Sequence, residues 1–139
     1  MERTADRGTG RDAERAIFWR PPEGRLPEGA WFGVTTRLGG VSEGPFATLN
    51  LGLSVGDRAE SVRENRRRMR AAAGVPEDGP LLLRQEHGAS VVAPSEAGTG
   101  ADGFVVCAGD PWVAVAAADC APVAIVAEDA AWGALVHSG

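Results

Sequence analysis

The chain has 139 residues, enough for one domain with a substantial core, and its 44% hydrophobic and 24% charged residues are ordinary globular values. A formal net charge of -5 gives nucleic acid or an anionic membrane surface no positive field to bind. All 14 basic residues are arginine, a compositional bias rather than a device for reading phosphate.

Residues 1–15 are charged and glycine-rich with little to bury, so a disordered tail is expected there, ahead of a single domain over 16–139. Ala16–Trp19 reads as a short strand before the turn at Pro21-Pro22, and Trp31–Thr36 as an aromatic and β-branched strand. A glycine-rich loop follows from Arg37 to Pro45. The clearest helix comes next. Asp57 is the expected N-cap, with Glu60 completing a capping box. Val62, Asn65, Met69, Ala72 and Ala73 share one face, Gly74 stops the helix, and Pro76 prevents its continuation. The arginines at 66, 67, 68 and 70 read as a solvated face. Beyond Pro80 the pattern turns to short strands at 81–83, 90–92, 103–106, 113–118, 123–127 and 132–136. One helix among many strands predicts an α+β layered domain with a largely mixed β-sheet. The first 30 residues hold no apolar core of signal-peptide length, and no stretch approaches the roughly 18 apolar residues of a membrane span. With a lone pair of cysteines, that points to a reducing, cytoplasmic setting.

The chain has only two histidines, His87 and His137, and both lie at the mouths of apolar runs, as does Cys120. Two imidazoles and one thiolate are a ligand set that holds a catalytic zinc and leaves its fourth position open. Glu128-Asp129-Ala130 reads as the turn of a hairpin that pairs residue i with roughly 259 minus i. Pro122 then faces His137, and Cys120 falls just beyond Gly139, with cross-strand neighbours about 5 Å apart. The hairpin brings Cys120 and His137 to one rim of the sheet. His87 cannot be placed in this way. Singly, each residue also fits a duller role: a small buried hydrophobe for the cysteine, a hydrogen-bonded side chain for either histidine. Cys107 has no histidine near it in sequence and reads as structural.

Several motifs occur in order: residues 35–46 (Thr-Thr-Arg-Leu-Gly-Gly-Val-Ser-Glu-Gly-Pro-Phe), Leu49-Asn50-Leu51-Gly52, Val55-Gly56-Asp57, Asn65-Arg66, Gln85-Glu86-His87-Gly88, Ala118-Asp119-Cys120-Ala121-Pro122 and Val136-His137-Ser138-Gly139. Together they resemble the laccase-domain family, also called the purine nucleoside phosphorylase or polyphenol oxidase family, which includes a peptidoglycan editing factor. The resemblance runs from about Trp31 to the last residue. It implies an αββα layered sandwich, incomplete at the C-terminus, because the family continues past its Val-His-Ala-Gly motif with Trp-Arg-Gly and a long further stretch. Ser138 stands where the family has alanine. It also implies that His87, Cys120 and His137 bind a catalytic zinc. The implied activity is phosphorolysis of adenosine, inosine, guanosine and methylthioadenosine, with adenosine deamination beside it. Purine nucleosides and phosphate are the expected partners.

Phosphorolysis needs a cation for the phosphate. Arg37 is the candidate, since guanidinium forks onto phosphate and Gly39-Gly40 permit a close approach; pinning the loop is its alternative role. Asp119 and Gln85 adjoin the ligands and are candidates for orienting them. Three rival readings stay open. Copper oxidase chemistry requires more imidazoles than two for a multinuclear cluster. A metal-free amidase acting in peptidoglycan editing would use Cys120 as nucleophile and His137 as base. An inactive fragment is the third.

Overall fold

The computed structural model describes residues 16–139, so the expected tail over 1–15 lies outside the described residues. The described chain falls into two compact units, residues 16–20 with Gly33–Glu77 and Pro21–Phe32 with Asp78–Gly139. Among the described residues no helix is long and apolar enough to cross a membrane.

In the first unit a two-stranded antiparallel ribbon pairs β1 (Phe18–Trp19) with β2 (Val34–Thr35). The aromatic run at 31–36 thus yields only two paired residues, with Thr36 tied to the start of β1 through its N–H on the Ile17 carbonyl at 2.6 Å. Helix α1 spans Ala59–Ala73 and buries Val62 and Asn65. Its C-terminus ends as expected: Gly74 takes φ 69° and its N–H returns to the Arg70 carbonyl. Its N-terminus does not. Arg58 is the N-cap and no side chain caps the first turn. The Asp57 carboxylate is drawn away by the Ser42 hydroxyl at 2.6 Å, the Asn50 amide at 3.0 Å and the Arg58 N–H at 2.7 Å. Those bonds from Asn50 and Ser42, above all, hold its carboxyl below the ordinary range.

A polar knot organises the loop that α1 supports. Asn65 is fully buried; its amide donates to Ser42 Oγ and to the Asn50 carbonyl, both at 2.8 Å, and accepts from the Val41 N–H at 2.8 Å. Every polar atom of that side chain is therefore used, which is what burial of an amide demands. The arginines of α1 are not uniformly a solvated face. Arg66 reaches the Leu51 carbonyl at 2.9 Å and Arg68 the Gly39 carbonyl at 3.1 Å, while Arg67 forks onto Glu64. The loop is held by side chains of the helix.

The second unit is built on a four-stranded mixed sheet in the order β3-β4-β6-β5: β3 (Val91–Val92), β4 (Gly103–Cys107), β5 (Ala121–Val126) and β6 (Trp132–Ser138). β3 runs parallel to β4, and the other pairs are antiparallel. With the helix, this is the expected α+β class with a mixed sheet. The hairpin register is the expected one, with Pro122 opposite His137 and Val123 opposite Val136. Alternation sends Phe104, Leu135 and His137 to one face, where Phe104 is wholly buried. The expected strand at 113–118 is absent apart from an isolated bridge between Val113 and Leu81. The reason is a side chain distant in sequence. The Gln85 side chain occupies both backbone groups of Ala116, accepting its N–H and donating to its carbonyl at 2.7 Å each, so no strand can pair there.

Candidate metal centre

Three segments of the second unit converge at one end of the sheet. β6 delivers His137 to its buried face, the residue before β5 delivers Cys120, and a turn at 86–88 delivers His87. One donor atom from each lies within 4.8 Å of the others. Cys120 Sγ stands 3.8 Å from His87 Nε2, and the two imidazole rings meet edge to face with centroids 4.8 Å apart. Tetrahedral nitrogen and sulfur ligands of zinc sit about 3.5 Å from one another. The sulfur and the His87 nitrogen, 3.8 Å apart, are therefore already close to that spacing. The donor set fits zinc in type and number, with a coordination position left over.

The site is graded in exposure. His137 is buried, Cys120 is intermediate and His87 is exposed. Gly139 follows the last ligand by two residues and is needed for close approach: a Cβ there would fall 2.9 Å from His87 Cδ2. Burial, then the charge and hydrogen bond of Asp119, push the Cys120 thiol up. Asp119 Oδ1 is 3.6 Å from the sulfur.

Sequence reasoning missed the residue that ties the site together. Asp102, with 1% exposure, sits one residue before β4, opposite His137 when the β4–β6 register is extended. Its Oδ1 is 2.9 Å from His137 Nδ1 and accepts the His87 N–H at 2.9 Å; its Oδ2 accepts the N–H of Gly88 at 2.8 Å and of Glu86 at 3.2 Å. Burial alone would raise this carboxyl, but the Gly88 N–H, the His137 imidazole and the Glu86 and His87 N–H groups outweigh it and hold it at about 2. The available signal was an acidic residue inside an apolar run, Ala101-Asp102-Gly103-Phe104, where an unpaired charge could not be buried.

The other candidates are placed as follows. Gln85 clamps Ala116, in the stretch that leads to Cys120, rather than a ligand side chain. Arg37 belongs to the first unit; its Nε and Nη2 both donate to the Ala47 carbonyl, at 3.0 and 2.7 Å, and Nη1 has no hydrogen-bond partner among the described residues. Cys107 is exposed and free.

Comparison with known proteins adds identity to this geometry. The family model described as multi-copper polyphenol oxidoreductase laccase matches residues 31–139. The purine nucleoside phosphorylase YlmD of Geobacillus stearothermophilus is 38% identical over 123 residues, which cover 80% of this chain and 45% of that protein. The purine nucleoside phosphorylase YfiH of Escherichia coli is 36% identical over 121 residues, 85% of this chain and 49% of its own. Among solved structures, the Neisseria meningitidis protein NMB0706 superposes with a TM-score of 0.77 at 37% identity, over 88% of this chain and 50% of that one. The chain spans about half the length of the curated relatives it matches.

Proposed function

The chain belongs to the multi-copper polyphenol oxidoreductase laccase family, and on that basis we propose that it carries the metal-binding portion of a zinc-dependent purine nucleoside phosphorylase. Adenosine, inosine, guanosine and methylthioadenosine are the substrates of this reading, with adenosine deamination as a companion reaction and the cytoplasm as its setting. The observation that carries it is the convergence of His87, Cys120 and His137 donors within 4.8 Å. The relatives, purine nucleoside phosphorylases by name, suggest the reaction class.

In phosphorolysis a phosphate oxygen bonds to the anomeric carbon as the bond from that carbon to the purine nitrogen breaks, and the departing base takes up a proton. His87, Cys120 and His137 would hold the ion, with His137 on the same sheet face as the buried Phe104. Zinc bound in such a set supplies Lewis acidity at an open position. Arg37 is the proposed phosphate cation, through the Nη1 that the Ala47 contact leaves unengaged. A multinuclear copper centre is disfavoured by the donor count, since this chain offers two imidazoles in all.

The contact of 3.8 Å between Cys120 Sγ and His87 Nε2 also favours a second reading, a metal-free cysteine hydrolase in which Cys120 is the nucleophile and a neighbouring histidine the base. Zinc is preferred because three donors, rather than a cysteine–histidine pair alone, converge within 4.8 Å.

The deciding assay incubates the zinc-loaded chain with adenosine and phosphate and reads adenine and ribose 1-phosphate by chromatography. We expect phosphate-dependent adenine release that is lost to a chelator and in Cys120→Ser. Arg37→Ala should raise the KM for phosphate at least about tenfold, the scale of a lost charge-assisted hydrogen bond. Adenine release indifferent to phosphate, or activity that survives chelation yet yields to a thiol alkylator, would overturn the phosphorylase reading.

A further inference from the structure

The geometry points to Asp102 as the positioning residue of the centre, one buried carboxylate that fixes the tautomer of His137 and the backbone of His87 together. This rests on reading His87, Cys120 and His137 as metal ligands. Three consecutive N–H groups, from Glu86, His87 and Gly88, converge on the two carboxylate oxygens at 2.8–3.2 Å. Such a run of backbone donors forms a nest that selects an anion. Here the anion is supplied by the chain itself.

The nest has a conformational cost. His87 adopts φ 57°, the left-handed region that residues with a Cβ seldom occupy. The carboxylate offsets that cost by taking the His87 N–H and both neighbouring N–H groups, and the same turn directs the His87 ring to the Cys120 sulfur. Asp102 therefore sets the approach of one ligand through its main chain.

It sets the other through the ring. All three backbone partners of Asp102 are donors, an arrangement that favours a carboxylate accepting on both oxygens. With Oδ1 accepting, His137 Nδ1, 2.9 Å away, is the donor of that pair. That leaves Nε2 bare, as the sole ring atom able to coordinate a metal. The His137 N–H further anchors to the Asp102 carbonyl at 2.7 Å, which fixes the backbone beneath the ring. Ligand orientation by a carboxylate behind the histidine is known to matter for metal affinity. In this chain one carboxylate serves two ligands that are 50 residues apart in sequence, as 137 minus 87 gives.

Asparagine at this position keeps the size but cannot serve both sides. At the Oδ2 position its NH₂ would oppose the Glu86 and Gly88 N–H groups, donor against donor; at the Oδ1 position it would oppose the His87 N–H and donate to His137 Nδ1, forcing the proton to Nε2, the coordinating atom. The test begins with the unmodified, metal-free chain: a long-range proton–nitrogen correlation spectrum at a pH where imidazoles are neutral. We expect the Nδ1–H tautomer for His137, and a dominant Nε2–H tautomer would overturn the inference. Asp102→Asn should then shift His137 toward Nε2–H and weaken zinc binding about 10–100-fold in a chelator competition. A folded Asp102→Asn chain with unaltered tautomer and unaltered zinc affinity would also overturn it. An unmodified chain that shows Nδ1–H but takes up no zinc sinks the metal reading alone, and supports the positioning of His137 by Asp102.

Discussion

His137 and Cys120 became visible in the sequence because a hairpin is local. Its short turn fixes the register, and the observed pairing of Pro122 with His137 is the expected one. His87 and Asp102 were not visible in that way. Asp102 meets His137 across 35 residues and only through the β4–β6 pairing, which no nearby turn dictates. Gly40 shows the same limit in the first unit. It stands out as part of a motif, but its reason is spatial: a Cβ there would lie 2.0 Å from the Thr48 carbonyl oxygen and 2.5 Å from Leu49 Cα. Backbone cannot yield as the tip of a side chain does. Gly40→Ala should therefore destabilise the chain by about 3 kcal/mol, the upper end for overpacking. Urea denaturation checks this, and an unchanged midpoint would show that the two loop strands are not held so close.

Helix α1 was half legible, for a physical reason. Its C-terminus depends on a left-handed Gly74, a choice made by one residue. Its N-terminus depended on where the Asp57 carboxylate would turn, and Ser42 and Asn50 competed for it from distant positions. The strand expected at 113–118 failed similarly, because a glutamine 31 residues away took the Ala116 backbone. At the same scale, Glu64 binds Arg67 through two hydrogen bonds and Arg68 through one, each 2.8 Å long. The bonds from Arg67 and then Arg68 lower its carboxyl from 4.5 to about 2. A depressed carboxyl favours the folded state fully above its unfolded value and ceases to do so as pH falls through its folded value. The stability gap between the natural chain and Glu64→Gln should therefore be constant above about pH 4.5 and shrink toward pH 2. Denaturation across that window measures it, and a gap that does not narrow would place the ion network outside the stability of α1. The size of the effect is small, because these side chains are partly exposed.

At the scale of the chain, the sheet of the second unit has one face turned inward around Phe104 and one left open. Val91, Val105, Val123, Ile125 and Trp132 share the open face and keep between 42% and 53% of their surface exposed. Exposed apolar side chains grouped on one sheet face favour association. The grouping occurs in a chain that covers only 45% and 49% of the two phosphorylases named above. We expect concentration-dependent self-association in sedimentation velocity, relieved by combining Val123→Thr with Ile125→Thr; a strictly monomeric natural chain at high concentration would contradict this. The centre lies at the end of the same sheet, and its three donors are what the functional reading depends on. Cobalt(II) titration of the metal-free chain tests them most directly. We expect saturation at a single ion per chain, tetrahedral d–d absorption and a thiolate-to-metal band that vanishes in Cys120→Ser. A chain that binds no cobalt, or whose spectrum is indifferent to Cys120, would contradict the convergence of these ligands on one ion.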